Sequence, residues 1–64
     1  MTKEEKNNKA ADLKRLISAF ADYKEHGMEY VKKFYPKEVP FVEENKNRPV
    51  EEVTDEVSKA LYEL

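Results

Sequence analysis

Residues 49–64 read PVEEVTDEVSKALYEL, and their apolar positions follow an alternation of three and four residues. This spacing places the apolar side chains on one face of a helix. Pro49 suits a first helical turn, and acidic residues after it complement the positive end of the helix dipole. We therefore predict a helix over about 49–63. Its apolar face comprises Val50, Val53, Val57, Ala60 and Leu64, with Leu61 alongside.

A second apolar stripe runs through the first half of the chain. It predicts an amphipathic helix with a broad buried face, able to bury Phe20 and Phe34. Gly27 interrupts the stripe and is a residue that favours helix ends. Because the stripe keeps its phase across Gly27, we expect one long or kinked helix over about 10–35. Two helices, 10–26 and 28–35, are the alternative. The stripe comprises Ala10, Leu13, Ile17, Phe20, Val31 and Phe34.

Prolines bound the segment between these helices. Pro36 should end the first helix and Pro40 should prevent a restart, so the connector is expected to be extended. The fold class predicted is all-α, with the second helix packed antiparallel to the first. The alternative is α-β-α with a short strand at 39–44, which would need a partner for its exposed edge. Residues 1–8 are expected to form a disordered polar tail and 9–64 a single small domain.

Composition narrows the function classes. The chain has 64 residues, no cysteine and one glycine. It therefore offers no disulfide, no thiolate ligand and no glycine-rich phosphate loop. His26 alone could give an imidazole to a metal, so no metal site and no cofactor are expected. No apolar run approaches the roughly 20 residues of a membrane span. A cytoplasmic protein with no membrane partner is the resulting expectation.

Charge is unevenly divided along the chain. Residues 1–37 carry nine basic and six acidic side chains, and residues 38–64 carry three and eight. The favoured interpretation is that the two halves face and neutralise each other; the alternative is that the acidic half meets a basic partner. A pI near 5.4 disfavours nucleic acid as a partner.

Catalytic groups do not converge in this sequence. Ser18 and Ser58 lack the turn that would expose a nucleophile, and adjacent acidic residues on a helix point about 100° apart. We therefore expect no catalytic residues and no enzymatic activity.

Aromatic residues are the more informative group, because four of the seven lie within 30–41. One interpretation is that the proline-bounded segment folds back and these rings cap the core. The other is an exposed patch of the composition favoured at protein interfaces. The residues predicted for such an interface are Tyr30, Phe34, Tyr35, Phe41 and Val42.

These features together predict a small non-enzymatic protein that acts by protein–protein contact, of a regulatory, inhibitor or adaptor type. Its size and lysine-rich composition are typical of phage or mobile-element proteins. The partner would be another protein or a second copy in a homodimer. The alternative function is a structural homo-oligomer with no other partner.

Residues 16–64 also carry a pattern of hydrophobic spacing. It comprises Tyr23, Val31, Phe34-Tyr35, Phe41-Val42, Arg48-Pro49-Val50-Glu51-Glu52-Val53, Val57 and Ala60-Leu61. The pattern resembles the C-terminal helix-strand-helix segment of adenylate-kinase-type nucleoside monophosphate kinases. The phosphate-binding loop, the lid and the catalytic arginine of that family have no counterpart in this chain. The resemblance therefore implies at most an inactive relic, and no functional residue is carried over.

Overall fold

The computed structural model describes residues 2–64. In this range the chain forms four α-helices and one 3₁₀ turn, Pro36–Glu38. The all-α fold is confirmed, and the α-β-α alternative is not supported. The segment 39–44, which that alternative makes a strand, is helical. The helices are α1, Lys3–His26; α2, Met28–Phe34; α3, Val39–Asn45; and α4, Val50–Tyr62.

Helix α1 begins seven residues earlier than predicted. The Thr2 side chain accepts a hydrogen bond from the backbone N–H of Glu5 at 3.2 Å, which caps the helix. Acidic residues in the first turn add favourable charge at the positive end of the dipole. The expected disordered tail is therefore helical from Lys3, although residues 3–9 are exposed; Met1 lies outside the described residues. Local capping starts this helix where apolar periodicity gives no signal.

Gly27 separates α1 from α2. Its φ of 91° and ψ of 174° are incompatible with either helix, and its N–H donates to the carbonyl of Tyr23 at 2.8 Å. The two-helix alternative is therefore the one that forms, and a continuous helix to residue 35 does not.

The connector after α2 is helical, so the expected extended segment is wrong. Pro36 opens the 3₁₀ turn, and Pro40 lies in the first turn of α3. Proline is tolerated there because the first amides of a helix have no acceptor within it. Burial of Val42, which is 0% exposed, stabilises α3 against the rest of the molecule.

Helix α4 matches the prediction and packs antiparallel to α1. Lys6, near the start of α1, shares a cleft with Leu64, just past the end of α4. At the opposite end, Lys24 donates to the carbonyl of Lys46 at 2.9 Å. Residues from all four helices meet in one core. Its buried members are Ala19, Phe20, Val31, Val42, Val53 and Val57.

Candidate protein-binding surface

Three of the five predicted interface residues are buried in the core or packed against it: Val42, Phe41 and Tyr35. Val42 is fully buried. Phe41 is partly buried, and its ring meets the ring of Phe20 edge-on, with 6.4 Å between centroids. The interpretation that the proline-bounded segment folds back and its rings cap the core describes Phe41, and the neighbouring Val42 is part of that core. Their exposure to a partner is therefore small.

Tyr30 and Phe34 lie side by side on α2, next to the face that packs on the core, and Tyr30 is partly buried. Their rings are 4.6 Å apart, and Phe34 is 50% exposed. The expectation that the helical stripe buries Phe34 is therefore wrong. After the break at Gly27, Val31 takes the inward position of α2 and is 0% exposed.

His26 extends this pair into a row of three rings. It stacks on Tyr30 with centroids 4.5 Å apart and planes 28° from parallel. Sequence reasoning considered His26 only as an isolated imidazole and missed it here. For Tyr30 and Phe34 the signal was present, because residues four apart are neighbours on a helix surface. His26 lies before the break at Gly27, so no spacing rule within one helix predicts its contact with Tyr30. We refer to His26, Tyr30 and Phe34 as the aromatic row.

Tyr35 fixes α2 to α1. Its hydroxyl donates to Oδ2 of Asp22 at 2.8 Å, and this bond to a carboxylate raises the pKa of Tyr35 above its ordinary value. The Arg15 guanidinium carbon lies 5.3 Å from the Tyr35 ring centroid, and its Nη2 donates to the carbonyl of Phe34 at 3.2 Å. These contacts hold the end of α2 in place, so the aromatic row is presented on a fixed backbone.

Lysines border the aromatic row. An open groove of about 530 Å³ is lined by Glu29, Tyr30, Lys32, Lys33 and Phe34. The Lys33 ammonium lies 5.4 Å from the centroid of the Phe34 ring, within the range of a cation–π interaction. The groove therefore combines apolar ring surface with a net positive rim at the Phe34 end of the row, whereas the carboxylates of Asp22 and Glu25 lie beside His26 at the other end.

Few ion pairs join residues 1–37 to residues 38–64. Among the described residues, one salt bridge joins them: Arg15 Nε lies 2.6 Å from Oε1 of Glu38, whose side chain is 7% exposed. The other ion pairs lie within the segment 48–59, where Arg48 meets two glutamates of α4. The two halves do face each other, since α4 packs against α1, but direct charge pairing between them is limited to this one salt bridge, and most basic side chains of the first half face solvent.

Asp22, Glu25 and His26 form a cluster at the end of α1. One potential ligand atom from each lies within 4.8 Å of the others. The set contains one imidazole and two carboxylates, and Oδ2 of Asp22 already accepts the bond from Tyr35. Glu25 and His26 are exposed.

Comparison of the chain with models of protein families, with curated proteins and with solved structures gives no match. Within residues 2–64, no helix combines the length and the apolar character that crossing a bilayer requires.

Proposed function

We propose that this protein is non-enzymatic and acts by protein–protein contact through the side of α2 that carries the aromatic row. The observation that carries the proposal is the half-exposed Phe34, whose ring lies in a row with those of Tyr30 and His26. Aromatic rings on a rigid backbone give large contact area at low entropic cost, which is why they dominate binding energy at interfaces.

A single exposed apolar side chain would not support this proposal, because most soluble proteins have some. Tyr62, at the end of α4, is 92% exposed and lines a cleft with Leu61 and Leu64, but among residues 2–64 no other aromatic ring is paired with it. Phe34 differs because it is part of a row of rings bordered by lysines, on a helix whose end is attached to α1 by Tyr35. Tyr62 is therefore the matched control for Phe34.

The finer functional class is also a proposal. A small helical domain that carries this surface suits a regulatory, inhibitor or adaptor role in the cytoplasm. The phage or mobile-element origin stays a prediction from size and lysine content.

The test compares wild-type protein with Phe34→Ala and Tyr62→Ala. Each is immobilised and used to retain proteins from the source cells, and binding is then reconstituted with the purified partner. Loss of affinity by about 30-fold or more is expected for Phe34→Ala, the size of an interface hot spot, and none for Tyr62→Ala. Circular dichroism must show equal helix content in all three proteins. A partner that binds Phe34→Ala as tightly as wild type would contradict the proposal.

Absolute mass by light scattering, over a wide range of concentration, tests the homo-oligomer alternative. We expect a monomer at every dilution. A dimer that persists on dilution and dissociates in Phe34→Ala would mean that the aromatic row serves self-association instead.

A further inference from the structure

The lysines beside the aromatic row indicate the chemistry of its partner. Lys32 and Lys33 line the same groove as Tyr30 and Phe34. Neither lysine takes part in the salt bridges found among residues 2–64. Glu29 is the one acidic residue of the groove lining, so the groove has a net charge of +1.

We propose that the α2 groove binds an acidic segment of another protein, one that presents an aromatic or large aliphatic side chain to Phe34. This inference rests on the proposed function, because it names the partner of the same surface. The apolar side chain covers the exposed half of Phe34, and carboxylates flanking it meet the two lysines. Complementary charge of this kind speeds encounter and fixes the register of the bound segment.

A second copy of the chain fits this groove less well. A two-fold dimer places the same patch of both protomers face to face. In such a dimer the two copies of Glu29 could pair with at most two of the four lysines, so two lysines would lack an acidic partner within the two linings. Like charges across an interface disfavour association. The groove thus favours a different, acidic chain.

Nucleic acid also fits poorly. Its affinity for a protein depends on how many phosphates the protein neutralises, and this groove supplies two lysines on a molecule of net charge −2. An acidic peptide needs only two or three carboxylates to complement the same rim.

The experiment selects binders from a library of random displayed peptides against the immobilised full chain. The enriched peptides are sequenced, and the affinity of the best one is measured by fluorescence anisotropy. We expect enrichment of Asp and Glu around one aromatic or large aliphatic residue, and weaker binding at high salt. Lys32→Glu/Lys33→Glu should weaken binding at least about tenfold. Lys3→Glu/Lys9→Glu, with the same change of net charge at the far end of α1, should bind as wild type does.

Glutamates in the last turn of α2 could unwind it, because they oppose the helix dipole. Lys32→Gln/Lys33→Gln avoids this problem by removing the positive charges alone, and it should also weaken binding. Helix content measured by circular dichroism accompanies each variant.

The outcomes separate the two proposals. Peptides that depend on Phe34 but show no acidic bias, or that bind both lysine variants normally, would overturn the acidic partner and leave the proposed function standing. Peptides that bind Phe34→Ala as they bind wild type would count against the proposed function itself. Recovery of no peptide would also overturn the proposal of an acidic partner. A labelled single-stranded oligonucleotide is tested in the same anisotropy assay, and its binding in place of peptides, dependent on Phe34, would overturn the proposal as well.

Discussion

Replacement of Gly27 by alanine should destabilise the protein through the backbone alone. An added Cβ would meet no atom within 4 Å, so no steric clash with neighbouring residues is involved. The cost arises because φ is 91° and ψ is 174°, a region that L-residues other than glycine scarcely occupy.

The magnitude follows from two opposing effects. Holding alanine in this conformation costs on the order of 1–3 kcal/mol. Alanine also restricts the unfolded chain, which returns about 0.4–1 kcal/mol. We expect the free energy of unfolding to fall by about 1–2 kcal/mol, a large part of the roughly 3–5 kcal/mol that a core of this size supplies. The midpoint of thermal unfolding should fall by roughly 5–15 °C.

The chain could escape this strain by continuing α1 into α2 as one helix. That would take Val31, which is 0% exposed, out of the core. Exposing a buried valine costs roughly 1.5–3 kcal/mol, which is no less than the strain that it would relieve. The break should therefore persist in the variant, and the variant should keep the oligomeric state and the helix content of the wild type.

Thermal and urea unfolding, followed by circular dichroism, measure the effect. Chemical synthesis of the 64-residue chain allows a matched control, in which D-alanine replaces Gly27. D-alanine adopts positive φ as readily as L-alanine adopts negative φ, so this protein should be at least as stable as wild type. An L-alanine variant as stable as wild type, or a D-alanine variant destabilised equally, would refute the reasoning about φ.

Three further changes test the core and the contacts that hold α2. Val42→Ala should lower the free energy of unfolding by about 2 kcal/mol in urea denaturation, because it removes two buried methyl groups and leaves a cavity. A loss below about 0.5 kcal/mol would instead be typical of a surface position. Arg15→Ala should cost about 1.5–3 kcal/mol, since the buried carboxylate of Glu38 would lose its charged partner at 2.6 Å; unchanged stability would contradict this. The hydrogen bond to Asp22 raises the pKa of Tyr35 above its ordinary value of 10.0. Because the folded-state pKa exceeds the unfolded one, this contribution to stability is complete below about pH 10 and is lost as pH rises through the folded-state pKa. Asp22→Ala should lower the pKa of Tyr35 in an absorbance titration of the tyrosines, and identical titrations of the two proteins would contradict the assignment.

Helix α4 could be predicted from sequence because every local signal agreed. Three signals predict the same helix: the apolar spacing, Pro49 before the first turn, and the acidic residues of that turn. The observed helix begins and ends within one residue of the prediction. The start of α1 could not be found from apolar spacing, because the segment 3–9 is exposed and depends on the cap at Thr2. The ends of a helix can therefore be predicted from local sequence only where the apolar spacing and the capping residues mark the same residue as the end.

The other differences depend on tertiary structure. Proline both ends helices and begins them, so Pro40 alone cannot distinguish an extended connector from the first turn of α3. Burial of Val42 decides between them. The apolar stripe continues in register across Gly27 and suggested one helix. However, a continuous stripe needs apolar residues at positions 24 and 27, where the chain has Lys24 and Gly27. The break at Gly27 then determines which side of α2 faces the core. The spacing of apolar residues along the sequence does not predict this direction.

This direction explains why aromatic rings lie outside on so small a protein. Gly27 and Pro36 limit α2 to seven residues, about two turns. Val31 faces inward, and the positions of Tyr30 and Phe34 lie roughly 60–100° away from it around the helix. Rotating α2 to bury Phe34 would withdraw Val31 from the core and break the bond between Tyr35 and Asp22. Val31 and Tyr35, which hold α2 in place, are therefore different residues from those proposed to bind a partner. Substitutions in the aromatic row and its lysines can change binding while the fold is retained, which is the separation that the proposed variants require.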